Sequence, residues 1–248
     1  MDINNEENKD LVIGRNAVTE VVKSGREIDK LFVARGERNP SVNRIVAMCR
    51  ERGAVVKEVD SKKLDYMCGG GSHQGVAVSV AAHEYATLAE IFEAAKEKNE
   101  APFIIVCDEL EDPHNLGAII RTAEAAGAHG IVIPKRRSAS LNYTVGKTSA
   151  GALEYMPVAR VSNIASALDE IKERGCWVYG ADMNGIDYKK TDFSGGVALV
   201  VGSEGQGMSR LVREKCDFIV SLPMRGKINS LNASVAAGIL MYEISANR

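Results

Sequence analysis

Glycines, carboxylates, amides and an arginine gather at three places in this chain where strand signals give way to helix signals. The first is Gly202-Ser203-Glu204-Gly205-Gln206-Gly207-Met208, three glycines around one carboxylate. Glycine adopts positive φ readily and lets backbone approach a ligand closely. The stretch is therefore either a tight turn or a cofactor loop. The second place is Asp108-Glu109-Leu110-Glu111-Asp112-Pro113-His114-Asn115-Leu116-Gly117-Ala118-Ile119-Ile120-Arg121-Thr122. Asp112 fits a helix N-cap there and Pro113 the first helical turn. A helical arginine such as Arg121 is ordinarily a surface charge or a salt-bridge partner. This one lies among Gly117, Ala118, Ala123, Ala125 and Ala126, small residues that let a helix pack close to other backbone. The third place is Lys227-Ile228-Asn229-Ser230-Leu231-Asn232-Ala233-Ser234-Val235-Ala236-Ala237. Ser230, Asn232 and Ser234 crowd the entry of a helix; one of them caps it, and the redundancy leaves the others available to a ligand.

Two further patterns imitate known sites and fail. Gly146-Lys147-Thr148 looks like the end of a P-loop, but Leu141 stands where that loop requires glycine. Gly202-x-x-Gly205-x-Gly207 imitates a dinucleotide fingerprint with altered spacing. The following strand ends Ser221-Leu222-Pro223-Met224, without the acidic residue that would hold a ribose, and the motif lies late in the chain. The five cysteines, Cys49, Cys68, Cys107, Cys176 and Cys216, include no Cys-x-x-Cys pair, and the four histidines have no metal-ligand spacing. Buried free thiols are expected, with no disulfide framework and no metal site.

The elements that must position these islands read as two α/β units. In the first, Arg15 to Ser24, Ser41 to Arg52 and Ser61 to Met67 look helical. Ile28 to Ala34, Ala54 to Val59 and Gly75 to Val80 look like strands, and Gly69-Gly70-Gly71-Ser72 like a flexible loop. This makes a unit of about 80 residues, large enough for its own core. A helix from Leu88 to Lys98 follows. Beyond it, strands are expected at Phe103 to Cys107, Gly130 to Ile133, Cys176 to Gly180, Val197 to Val201 and Phe218 to Leu222. Helices are expected at about Leu116 to Ala126, Ile164 to Arg174, Ser209 to Lys215 and Leu231 to Ala246. Alternating strands and helices imply a parallel sheet covered on both faces. The expected division is a disordered tail over residues 1–9, a first domain over 10–81, a linker and helix over 82–100, and a second domain over 101–248.

The chain has 248 residues with 45% hydrophobic and 26% charged residues, the composition of a soluble globular protein. No run of about 18 apolar residues occurs, so no membrane span is expected. The polar, acidic start Met1 to Asp10 lacks the basic flank and apolar centre of a signal peptide, so a cytoplasmic protein is expected. The net charge of −2 neither favours nor excludes nucleic acid, because a local basic patch can bind phosphates on a neutral protein.

Taken in order, Asn115-x-Gly117-x-x-x-Arg121-Thr122, Gly202-x-Glu204-x-x-Gly207-Met208-Ser209 and Ser230-Leu231-Asn232-x-Ser234-Val235-Ala236 resemble the three motifs of the SpoU (TrmH-type) RNA ribose 2′-O-methyltransferases of the SPOUT superfamily. The resemblance covers residues 100–248. The first unit, including Ser72-His73-Gln74-Gly75-Val76-Ala77, is similar to the small ribosomal-protein-like domain that binds substrate in many members. The likeness is greatest to the 23S rRNA guanosine 2′-O-methyltransferase group; a tRNA 2′-O-methyltransferase and a catalytically silent RNA-binding homologue are the alternatives. Intact Asn115, Arg121, Glu204 and Asn232 argue against lost activity.

The resemblance implies an α/β methyltransferase domain threaded as a trefoil knot, which chain-topology rules alone would not suggest. It implies a homodimer with the active site near the subunit interface, no metal, and S-adenosyl-L-methionine as cofactor. Cofactor contacts would fall on Gly202, Leu222 and Leu231, with Val201, Met224 and Ser230 nearby, although Leu222 and Leu231 read as core residues by pattern. The catalytic set would be Arg121, Asn115, Glu204, Ser230 and Asn232. Arg121 would act as the base or as a clamp on the adjacent phosphate, and a guanidinium, which holds its proton, favours the clamp. Asn115 would place the ribose or phosphate, and Glu204 would hold Arg121 or a neighbouring loop. Ser230 and Asn232 would shape the cofactor loop and contact substrate. Lys135, Arg136 and Arg137, after a strand end, and Arg15, at the start of the first helix, would meet RNA phosphates. Aromatic residues are only 5% of the chain, so RNA shape and backbone would dominate recognition over base stacking.

Overall fold

A computed structural model describes residues 11–36, 39–81 and 83–247. The tail expected over 1–9 lies outside the described residues. The chain forms two compact units: the described residues up to Glu84 with Ser140–Thr144, and Tyr85–Ala139 with Val145 onward.

The first unit runs β1 (Leu11–Ile13), α1 (Arg15–Lys23), β2 (Ile28–Ala34), α2 (Pro40–Glu51), β3 (Val55–Val59), α3 (Ser61–Met67) and β4 (Val76–Val80). Its sheet has the order β1-β4-β2-β3, with β2 and β3 parallel and the other pairs antiparallel. Val18 and Val22 of α1 and Val42, Ile45 and Val46 of α2 close the core over Leu31, Val33, Val76 and Val78. Asn39 starts α2 by accepting the Ser41 N–H at 3.0 Å, and Pro40 fits the first turn, where no N–H is needed. β1 has only three residues, too few to display an alternating pattern.

The second unit contains α4 (Leu88–Glu97), β5 (Phe103–Cys107), α5 (Pro113–Ala125), β6 (Gly130–Pro134), α6 (Tyr143–Thr148) from its third residue on, β7 (Val158–Val161), α7 (Ile164–Glu173), β8 (Cys176–Asp187), β9 (Gly196–Val201), α8 (Arg210–Lys215), β10 (Phe218–Ser221) and α9 (Ala233–Ala246). Thr87 and Glu90 form a reciprocal capping box at the start of α4. The six strands are parallel, in the order β10-β8-β9-β5-β6-β7. β5, β6 and β9 are buried along their whole length, as expected for strands covered on both faces.

α6 and β1 were not expected from the sequence, and two strands of the second sheet also depart from expectation. β8 continues to Asp187 rather than stopping at Gly180, because its pairing with β10 jumps from Gly180 opposite Ile219 to Ile186 opposite Val220. At Gly185 a Cβ would lie 2.6 Å from Ile219 O, so glycine is required for that close approach. β7 is a short strand that lacks a periodic signal of its own.

The order of the sheet reverses at its centre. From β5 the chain moves outward through β6 and β7 on one side, while β9 lies on the other, with Cys107 paired to Val201. In open parallel sheets this is where a crevice forms beyond the carboxyl ends of the strands. From the edge strand β10 the chain returns as α9, which packs on α5. Among the described residues no helix is long and apolar enough to cross a membrane, and no group of three or more His, Cys, Asp or Glu side chains could hold a metal.

Candidate active site

Asp112 accepts the His114 N–H at 2.9 Å and, with Pro113, starts α5 as the sequence predicts. Asn115 falls within the first turn and is buried. The Gly202–Met208 loop, immediately after β9, closes on itself. Ser203 N–H donates to Gly207 O at 3.0 Å and Gly207 N–H to Ser203 O at 2.9 Å. Gly205 and Gly207 have φ of 82° and 69°, in the left-handed region that favours glycine. At the entry of α9, Asn232 is the cap: its Oδ1 accepts the Ser234 N–H at 3.0 Å, the Val235 N–H at 3.2 Å and the Ser234 hydroxyl at 2.6 Å.

These three places meet in one hydrogen-bonded ring. With its Oδ1 occupied by the helix, Asn232 must present its Nδ2 outward. That group donates to Asn115 Oδ1 at 2.9 Å and to Glu204 Oε1 at 2.5 Å. Asn115 Nδ2 completes the ring by donating to the same Glu204 oxygen at 3.1 Å. A carboxylate held by two amides needs no cation to be satisfied. Glu204 therefore serves the neighbouring segments and not Arg121.

Arg121 is exposed and forms no hydrogen bond or ion pair with the described residues. Six residues beyond Asn115, it lies about 120° around the helix from that side chain, off the ring and on the open face. Of the two expectations for Glu204, its contacts with Asn115 and Asn232 match the neighbouring segment, and none is with Arg121. Ser230 is also exposed and stays outside the ring.

Gly202 and Gly117 have no side chain for reasons internal to the protein. A Cβ at Gly202 would overlap the backbone of Gly207 and Met208, so loop closure itself demands glycine. A Cβ at Gly117 would overlap the Thr148 side chain.

The expected cofactor contacts form a varied group. Val201 and Gly202 are buried, and Leu222 is half-buried. Met224 and Leu231 are 38% and 40% exposed, so Leu231 is not the core residue that its pattern suggests. Between Leu222 and Leu231 the backbone makes no backbone–backbone hydrogen bond with the described residues. Apolar side chains beside unpaired N–H and C=O groups suit a ligand with a flat apolar body and a hydrogen-bonding edge.

The basic residues have different surroundings. Arg137 donates to Glu109 Oε1 at 2.8 Å, and both residues adopt left-handed backbone, with φ of 53° and 56°. That hydrogen bond, together with the carboxylate charge, raises the Arg137 pKa. Its charge is offset within the protein, whereas Lys135 and Arg136 form no ion pair with the described residues. In the first unit, Arg15 donates from Nε to Gln74 Oε1 at 3.3 Å and from Nη1 to Ser41 Oγ at 3.0 Å. Both partners are neutral, so Arg15 is oriented but not neutralised.

The second unit matches the model of the SpoU rRNA Methylase family over residues 102–242. The chain belongs to the SpoU rRNA methylase family. Residues 11–86 match a second model, described as RNA 2′-O ribose methyltransferase substrate binding. A Bacillus subtilis (strain 168) protein, YacO, named for the TrmH family of tRNA/rRNA methyltransferases, is 54% identical over 240 residues, covering 96% of each chain. Among solved structures, the SpoU methyltransferase AviRb from Streptomyces viridochromogenes, in complex with AdoMet, has a TM-score of 0.60 at 26% identity over 95% of this chain and 89% of its own. An AdoMet-bound rRNA methyltransferase from Sinorhizobium meliloti has a TM-score of 0.58 at 26% identity, covering 94% of this chain and 85% of its own. The fold expected from the motifs, a parallel-sheet SpoU domain after a small substrate-binding domain, is thereby shown, as is membership of an RNA methyltransferase family. Asp108 opens the second island, but an aspartate after a strand ordinarily reads as part of a turn, so no local signal marks its buried contacts.

Proposed function

We propose that this chain methylates the ribose 2′-hydroxyl of a guanosine in 23S rRNA, with S-adenosyl-L-methionine as donor, acting in the cytoplasm as a homodimer. The observation that carries the reading is the Asn115–Glu204–Asn232 ring, which ties the three family motifs together beside the β5–β9 crevice. The AdoMet bound to the neighbours of similar fold supports the cofactor. So do the exposed Met224 and Leu231 beside the unpaired backbone of 222–231. The rRNA assignment is supported by the family description and by the substrate-binding match of the first unit. A tRNA substrate is the second reading, favoured by the tRNA/rRNA name of YacO.

The cofactor supplies an electrophilic methyl group on a sulfonium. The protein must align the acceptor oxygen with it and let the hydroxyl proton leave. Arg121, exposed and without a protein partner, is placed to clamp a phosphate bidentately and so orient the neighbouring ribose. Guanidinium groups hold their protons, so phosphate or water takes the hydroxyl proton. Asn115 and Glu204 fix the loop and the start of α9, while Ser230 and Asn232 border the cofactor segment. Gly202, Val201, Leu222, Met224, Ser230 and Leu231 would hold the cofactor. Arg15, Lys135 and Arg136 would meet RNA phosphates, with Arg137 a weaker contact because Glu109 offsets it.

Val235, Ile239 and Tyr242, spaced four and three apart on α9, are 50%, 39% and 55% exposed. This apolar stripe supports the dimer. The return of α9 from edge strand β10 to pack on α5 supports the expected trefoil threading. Residues 10–81 would bind substrate and 101–248 carry the transfer.

The deciding experiment incubates the purified protein with methyl-labelled S-adenosylmethionine and 23S rRNA or bulk tRNA, then maps ribose methylation. Label at one 23S guanosine is expected. Label in tRNA alone would select the second reading, and label in neither would overturn the methyltransferase proposal for these substrates.

A further inference from the structure

The Gly202–Met208 loop is fastened at both ends by Asp108, which directly follows β5. Its backbone N–H donates to Val201 O at 2.8 Å, at the entry of the loop. Its carboxylate accepts the Ser209 N–H at 2.7 Å, at the exit, across 101 residues of chain. The residue is only 3% exposed. A carboxylate withdrawn from water is costly unless hydrogen-bonded, and its bond to an N–H is stronger than a bond between neutral groups. Ser209, although it stands at the N-cap position of α8, makes no capping bond with its own side chain. The exit of the loop is therefore held by Asp108. Glu204, which joins the ring with Asn115 and Asn232, lies between the two fastened ends.

We propose that Asp108 is a positioning residue that clasps the Gly202–Met208 loop so that Val201 and Gly202 line the cofactor site and Glu204 reaches Asn115 and Asn232. The proposal rests on assigning this loop to the cofactor site, but the clasp can be read without cofactor.

Amide hydrogen exchange is the first measurement. Asp108→Ala is expected to speed exchange at residues 203, 207 and 209 tenfold or more, leaving β6 and β7 unchanged. Ser209→Pro removes the donor where φ is −60°, an angle that proline adopts, and is expected to speed exchange at 203 and 207 similarly. The double variant should exchange no faster than the faster single variant, because both remove the same bond. Unchanged exchange in both variants, additive acceleration, or acceleration spread evenly over the sheet in both would overturn the clasp. Calorimetry with S-adenosylmethionine is the second measurement. Asp108→Ala and Ser209→Pro are each expected to weaken binding at least tenfold. Asp108→Asn, which keeps an acceptor oxygen, should stay within threefold in affinity. Faster exchange with unchanged affinity would overturn the link to cofactor binding, as would equal losses in Asp108→Asn and Asp108→Ala. No binding by the unaltered protein would overturn the cofactor assignment and leave the exchange result standing.

Discussion

Asn115 and Asn232 are 117 positions apart in the chain and 2.9 Å apart through a hydrogen bond. The bond is one side of a ring whose third member, Glu204, receives both amides. Asn232 thus has two tasks, one oxygen for the helix and one amino group for the ring, and they can be separated by mutation.

Asn232→Asp keeps the cap acceptor but replaces the amino group with an oxygen facing Glu204. Two adjacent carboxylates resist joint ionisation, which raises the folded-state pKa of one of them. The resulting destabilisation grows as pH rises through the carboxylate range. Urea unfolding should show a loss of about 1–3 kcal/mol at pH 7 and a smaller one at pH 4, whereas Asn232→Ala should lose about 1 kcal/mol or more for the cap with weak pH dependence. Equal losses for Asn232→Asp at the two pH values would exclude the contact with Glu204.

Arg121 is expected to matter for transfer and hardly at all for folding. Being exposed and unpaired, Arg121→Ala should change stability by less than about 0.5 kcal/mol. Cofactor affinity should stay within a few-fold while methyl transfer is abolished. Arg121→Lys keeps the charge without the planar fork and should recover only part of the rate. Near-normal turnover of Arg121→Ala, measured with labelled cofactor, would remove it from the site.

At Gly202 even one carbon is too many. Because a Cβ would meet the backbone of Gly207 and Met208, Gly202→Ala should reopen the loop and cost about 1–3 kcal/mol. Cofactor binding should fall with it, and Gly202→Val should remove binding altogether. Calorimetry on folded Gly202→Ala with unchanged affinity would contradict this.

The basic residues should divide by their partners. Arg15→Ala and Arg136→Ala should each raise the KM for RNA and lower the salt slope of binding by about 1, without altering cofactor affinity. Arg137→Ala should do less, since Glu109 already offsets that charge. A salt titration that ranks Arg137 above Arg136 would reverse the assignment.

The thiols carry a prediction in pH. Burial pushes Cys107 and Cys216 up to about 12 and Cys49 to about 11, while Cys68 is raised less. At pH 8 the thiolate fraction among these four is greatest at Cys68, so brief alkylation followed by mass spectrometry should label Cys68 before Cys49, Cys107 and Cys216. Early labelling of Cys107 would contradict its burial.

Much of this was legible in the chain. β2, α3 and β5 coincide with their expected spans; the two strands are marked by apolar runs. The three islands were legible as islands, and Asp112 as a cap, but that Asn232 and not Ser230 or Ser234 caps α9 was not. Their joining was not: nothing local records that Asn115, Glu204 and Asn232 share one ring, since that depends on β5 and β9 being neighbours and on α9 returning to α5. Leu231 looked like core because periodicity registers apolarity and not the side from which it is covered. Gly202 reads as a close-approach position, but spacing could not show that the loop's own backbone at Gly207 and Met208 is among what approaches it.

The ring also sets an order of events. Its members come from segments after β5, after β9 and after β10, so it cannot close until all six strands of the sheet have been synthesised. A nascent chain that has completed its first unit has none of the three contacts, and one that ends before Asn232 lacks two of them. The ring is accordingly a late product of synthesis, closed only once Asn232 can reach Asn115 and Glu204.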